Sequence, residues 1–171
     1  MTITLPRDAL VLLIGPSGAG KSTFAARHFQ PTEVLSSDAM RAAVADDPHD
    51  QRATEAAFEL LHTALGLRLG LRRLTVVDAT NVEHWARQRP LAMARRLKRP
   101  AVAIVLALPL ATCLARNLER DHPRPAAAVR RQHRWMLESL PQLDAEGFAR
   151  VCVLDSAELV ASVQIDRSAE G

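Results

Sequence analysis

The stretch Gly15-Pro16-Ser17-Gly18-Ala19-Gly20-Lys21-Ser22 decides the fold. An apolar run, Ala9–Ile14, leads into it, and an amphipathic pattern, Lys21–Phe29, leaves it. The glycines therefore join a strand to a helix, the setting that a G-x-x-x-x-G-K-S motif requires. Glycine lets backbone N–H groups turn inward around an anion, and the helix that follows presents its positive dipole end to the same charge. Lys21 is expected to reach the β- and γ-phosphates of a nucleoside triphosphate, and the Ser22 hydroxyl to ligate Mg²⁺. The expected cradle is Gly15, Ser17, Gly18, Ala19, Gly20, Lys21, Ser22 and Thr23, with ATP or another NTP and Mg²⁺ as ligands. Switch GTPases, motor ATPases and kinases all share this motif. An N-K-x-D guanine-reading motif is missing, and 171 residues are too few for most motors.

Outward from the cradle, short apolar runs alternate with longer amphipathic segments. Strands are expected at Ala9–Ile14, Glu33–Ser36, Leu74–Val77, Ala101–Ala107 and Arg150–Leu154. Helices are expected at Lys21–Phe29, Ala39–Ala45, Gln51–Leu71, Glu83–Leu97, Leu110–Arg120, Ala126–Leu140 and Ala157 to about Val163, with Asp166–Gly171 as a tail. Continuous apolar strands alternating with helices indicate an α/β fold, a five-stranded parallel sheet with helices on both faces. No repeat or Gly/Ser linker divides the chain, so residues 1–171 read as one domain. Pro123 and Pro125 break the helical pattern between two Arg-bearing helices, and the segment of about residues 110–140 reads as a helical lid.

Hydrophobic residues make up 48% and charged residues 24% of the chain, which excludes a disordered or fibrous protein. Only Lys21 and Lys98 are lysines among 22 basic residues, a skew that suits bidentate phosphate contacts but equally reflects coding bias. Aromatics are 4% with no Tyr, which argues against an RNA- or single-strand-binding sheet built on stacked rings; a polynucleotide, if one binds, is expected to be held by its end and its phosphates, without stacked rings. Cys113 and Cys152 form no CxxC pair and read as ordinary thiols. The run Ala101–Leu110 is about half a membrane span and no signal-like segment precedes the first strand, so a soluble, cytoplasmic protein without membrane contact is expected.

Asp38 follows the second strand at the edge where ligands bind in parallel sheets. It is placed either to cap the next helix or to accept the proton of an attacking hydroxyl. Arg41, three residues on, shares its helix face and is expected to hold an anionic group of the acceptor. Asp78 ends the third strand where a carboxylate helps hold Mg²⁺ through water. Thr80 and Glu83 read as a capping box. Arg116 and Arg120 share a helix face and suit a triphosphate whose charge spreads in the transition state. The basic stretch Arg87, Arg89, Arg95, Arg96, Lys98 and Arg99 reads as a solvated helix back, and none of the six histidines has ligand spacing.

Taken together, GPSGAGKSTFAARHF (15–29), PTEVLSSDAMR (31–41), LTVVDATN (74–81) and CLARNLER (113–120) resemble the kinase domain of bacterial polynucleotide kinase–phosphatase, an RNA-repair enzyme. The resemblance runs over nearly the whole chain. It implies a P-loop kinase fold and transfer of the NTP γ-phosphate to the 5′-hydroxyl end of single-stranded RNA or DNA. By the same resemblance Lys21 and Ser22 are the P-loop lysine and Mg²⁺ ligand, and Asp38 is the general base. Arg41 touches the acceptor phosphate, Arg116 and Arg120 clamp the donor, and Val129 lies under the terminal base. Between Arg120 and Val129 the chain departs from the pattern, because Pro123 and Pro125 surround Arg124. Phosphatase and ligase-like domains in the parent protein are implied, so the chain is either an excised domain or a stand-alone kinase. The alternatives are a P-loop kinase for a small-molecule hydroxyl (sugar, nucleoside or antibiotic) and a non-catalytic NTP-binding module.

Overall fold

A computed structural model describes residues 1–168. Its centre is a five-stranded, wholly parallel sheet of β2 (Leu10–Ile14), β3 (Val34–Ser36), β4 (Thr75–Asp78), β5 (Ala101–Leu106) and β6 (Arg150–Leu154). The spatial order is β3-β4-β2-β5-β6. The central strand β2 (LVLLI) is buried at every residue, as a strand covered on both faces must be. Alternation then splits its side chains. Val11 and Leu13 join Val76, Ile104 and Leu106 in a core with Phe24 of α1 (Lys21–His28) and Cys113 of α5 (Leu110–Leu118). Leu10, Leu12 and Ile14 join Val77, Ala103 and Val105 on the other face. There they meet Leu61, Leu65 and Leu69 of α3 (Thr54–Gly70) and Leu91 and Ala94 of α4 (His84–Arg96). Each fully buried aliphatic side chain contributes on the order of 1.5–3 kcal/mol. The remaining helices are α2 (Ser37–Ala45), α6 (Ala126–Ser139) and α7 (Ala157–Ser162).

The strand and helix expectations hold to within a few residues, and the differences have physical causes. Gln51–Ala53 is a 3₁₀ turn capped by the Asp50 side chain, and Leu140–Ala145 is another, because Pro141 lacks the amide a continuing α-helix needs. Thr2–Pro6 (β1) and Gln164–Ser168 (β7) form a separate two-stranded parallel ribbon, so residues 166–168 of the expected tail are strand; 169–171 lie outside the described residues. Ile3 and Leu5 of β1 are fully buried, and Arg167 of β7 donates to both carboxylate oxygens of Glu33 at 2.6 and 2.7 Å. Among the described residues no helix is long and apolar enough to cross a membrane.

Candidate active site

Backbone geometry shapes the β2–α1 turn. Gly18 and Gly20 take φ of +82° and +92°, values that side-chain-bearing residues rarely adopt. At Gly18 space is also lacking, since a Cβ would lie 2.1 Å from the Cys113 carbonyl oxygen of α5. Gly20 caps α1 without any side-chain hydrogen bond, which leaves the first-turn amides facing the cleft for an anion. Lys21 folds back, its Nζ donating to the carbonyls of Gly15 at 2.8 Å and Pro16 at 2.9 Å. Burial pushes the Lys21 ammonium from 10.5 down to about 8; the Asp78 carboxylate opposes that shift and the Arg120 guanidinium adds to it.

The sheet register brings the second wall into place. Leu13 and Ser36 both pair with Asp78, so the P-loop, Asp78 and the start of α2 meet at one sheet edge. Asp78 is buried beside Lys21, and among the described residues its carboxylate accepts no hydrogen bond. The cap of α2 is Ser36, whose Oγ accepts from the Ala39 amide at 3.4 Å. Asp38 therefore does not cap the helix, and its carboxylate is left for other work. Arg41 Nη1 donates to Asp38 Oδ1 at 2.7 Å, and Arg124 Nη2 lies 3.9 Å from the same oxygen. Arg41 is itself buried, with Nε bonded to Thr54 Oγ1 at 3.2 Å.

The third wall is the α5–α6 hairpin. Arg116 lies over Gly20, where a Cβ would sit 3.5 Å from its Nη1, and Arg120 is close enough to Lys21 to depress its titration. The proline-flanked connection is fixed, with Asn117 donating to the Arg124 carbonyl at 2.8 Å and accepting from its amide at 3.0 Å. That pairing carries Arg124 to Asp38, so the departure at Pro123 and Pro125 adds an arginine to the site. The rings of His49 and His122, 4.1 Å apart, tie the same connection to the α2–α3 loop. Together these walls enclose a cleft of about 950 Å³ that holds Lys21, Ser22, Asp38, Arg41, Asp78, Arg116, Arg120 and Arg124. Ser17, Gly18, Ala19, Gly20 and Thr23 line it as well.

Val129 is not among them. It is fully buried in the core with Phe24 and Cys113, and Ala128, Arg131 and Gln132 are the α6 residues that face the cleft. The Thr80–Glu83 capping box is also absent. Asn81 takes φ of +50° between them, and Glu83 becomes the N-terminal cap residue of α4 with no side-chain cap bond. Asn81 is structural, its Nδ2 donating to the Leu13 carbonyl at 2.8 Å.

Several contributors escape sequence reading. Gln132 of α6 accepts the Ser17 amide on Oε1 at 2.9 Å, joining hairpin to P-loop. Arg87, expected on a solvated helix back, is fully buried. It pairs with Glu146 through Nε at 2.8 Å and Nη2 at 2.5 Å, and donates to the Asn81 carbonyl at 2.7 Å. Trp85 and Phe58 also line the cleft. Their only sequence signal was scarcity, in a chain with four Phe and two Trp. Among the described residues no group of three or more His, Cys, Asp or Glu side chains is placed to hold a metal ion.

The fold recurs in solved structures. A chain of the Pnkp1/Rnl/Hen1 RNA repair complex superposes with a TM-score of 0.68 at 20% identity, over 78% of this chain. The match spans 45% of that longer chain. The gluconokinase of Sinorhizobium meliloti 1021 gives 0.56 at 18% identity, covering 92% of this chain and 87% of its own. The AvrRxo1-ORF1:-ORF2 structure with ATP gives 0.68 at 14% identity, over 88% and 55%. At such identities the likeness is one of fold, a P-loop kinase fold. No curated relative matches the sequence. The AAA domain model matches residues 10–143, which hold the P-loop, Asp38, Asp78 and the hairpin arginines, and the chain belongs to that family.

Proposed function

We propose that the protein is a 5′-hydroxyl polynucleotide kinase, moving the γ-phosphate of ATP or another NTP to the 5′-OH end of single-stranded RNA or DNA. On this reading residues 1–171 act as one kinase domain, with the 110–140 hairpin as its lid. One observation carries the proposal. Both guanidiniums at Asp38 approach Oδ1, and Oδ2 makes no hydrogen bond among the described residues. A carboxylate fixed by one oxygen and free at the other suits a general base, and Arg41 and Arg124 beside it suit an acceptor that carries phosphate. The likeness to a chain of an RNA repair complex supports the same reading.

In the transfer, the acceptor oxygen bonds to the γ-phosphorus as the bond from that phosphorus to the β,γ-bridging oxygen breaks. The hydroxyl proton passes to Asp38 Oδ2, and the nucleoside diphosphate leaves. Lys21, Arg116 and Arg120 neutralise the charge that spreads over the phosphoryl oxygens. The Ser22 hydroxyl and the unbonded Asp78 carboxylate are hard oxygen donors that both line the cleft, a set that fits Mg²⁺. Mg²⁺ held there would supply further neutralisation of the β- and γ-phosphates.

Incubation with γ-labelled ATP and a 5′-OH oligonucleotide should label the strand. Asp38→Asn should keep ATP binding and lose about 10²–10⁴-fold in transfer. Unchanged transfer by that variant would remove the base. The likeness to gluconokinase supports a second reading, a kinase of small-molecule hydroxyls, which predicts label on a polyol and none on the strand.

A further inference from the structure

The cleft has a wall that phosphoryl transfer itself does not use. Phe24 and Phe29 are buried, and Phe148 and Trp135 are packed against the core. Trp85 differs, being 68% exposed on the first turn of α4. It lines the cleft, as does Phe58 of α3, which is half-buried and packs against the core. Arg41 and Arg124 gather around Asp38. A phosphodiester is drawn to these guanidiniums, which leaves the exposed ring for an uncharged planar group.

We propose that Trp85 is a stacking subsite for a nucleobase of the acceptor strand. The inference rests on the polynucleotide kinase reading and adds to it how the strand is gripped. Every base has a π-face, so such a subsite favours polynucleotides over polyols without selecting a sequence. It replaces the expectation, drawn from composition, that the strand is held without stacked rings.

The test is steady-state kinetics of the wild type, Trp85→Ala and Trp85→Phe with two acceptors. One is a 5′-OH oligonucleotide, and the other is an abasic chain of equal length with the same phosphates and 5′-hydroxyl. Trp85→Ala should raise KM for the oligonucleotide about tenfold, within the range of one base–ring stack. KM for ATP should stay unchanged, and Trp85→Phe should restore most of the loss. Abasic substitution should cost the wild type the same factor and the Ala variant almost nothing. If the wild type labels the strand while Trp85→Ala keeps its KM within twofold, the subsite is refuted and the kinase reading stands. If the wild type labels a polyol and no strand of either kind, the kinase reading is refuted, and the subsite with it.

Discussion

Replacing Arg87 by Ala removes a side chain that the basic run of α4 hides among solvated neighbours. Its guanidinium is 0% exposed, the Glu146 side chain 4%, and two hydrogen bonds join them. Without Arg87 the carboxylate keeps only His84 Nδ1, at 3.1 Å, and the Asn81 carbonyl loses its donor. Breaking a buried pair from one side costs about 3–5 kcal/mol, because the remaining charge stays desolvated. At about 2–4 °C per kcal/mol for a chain of this size, Tm should fall by roughly 6–20 °C at pH 7. The loss should depend on pH. Burial alone would raise the Glu146 pKa, but the Arg87 and His84 bonds outweigh it and hold the carboxyl below its ordinary 4.5. A depressed folded pKa adds stability above the unfolded value and loses it as pH falls through the folded one. In the variant burial is opposed by His84 alone and the folded pKa rises, so its deficit is complete at neutral pH and relieved on acidification. The gap between wild type and variant should therefore narrow from pH 7 to pH 4. Thermal unfolding by circular dichroism across that range measures it. The double variant Arg87→Met/Glu146→Leu, which buries no charge, should recover most of the loss. A single variant within about 1 kcal/mol of wild type, or a double variant as unstable as the single, refutes the reasoning.

Two further outcomes follow from the P-loop. Phosphate oxygens stabilise the Lys21 ammonium that burial has brought down to about 8, so ATP binding should take up about half a proton near pH 8 and almost none at pH 6.5. Calorimetry in buffers of different ionisation enthalpy reads this directly; proton release, or uptake that survives Lys21→Ala, contradicts it. Gly18→Ala drives a Cβ into the Cys113 carbonyl at a left-handed φ and should cost about 3 kcal/mol and nucleotide binding. Gly70→Ala, with nothing within 4 Å, should leave both unharmed in the same melting and binding assays.

The central sheet was legible because its strands are covered on both faces and read as unbroken apolar runs, each followed by a helix with its own period. The ribbon of β1 and β7 was not. Its two members lie about 160 residues apart, and each alone is a short polar-apolar alternation at a chain end. The same contrast holds in the site. Lys21, Asp38 and Arg116 stand in local patterns that carry chemistry, so a one-dimensional reading finds them. Gln132 and Arg124 reach the cleft only because the hairpin folds over it. Arg87 is indistinguishable in sequence from exposed Arg89, and only the distant Glu146 turns it inward. Val129 failed for a related reason, since a helix rotated by one residue exchanges core for cleft and presents Ala128 instead.

The bond between Ser17 and Gln132 has a consequence for how affinity is read. Three groups of the cleft already have partners within the protein: the Ser17 amide on Gln132, Lys21 on two carbonyls of its own loop, and Asp38 on Arg41. A substrate that engages them trades one set of bonds for another. Measured binding is then the difference between the two sets, and weakening an internal bond tightens binding without adding any contact to the ligand.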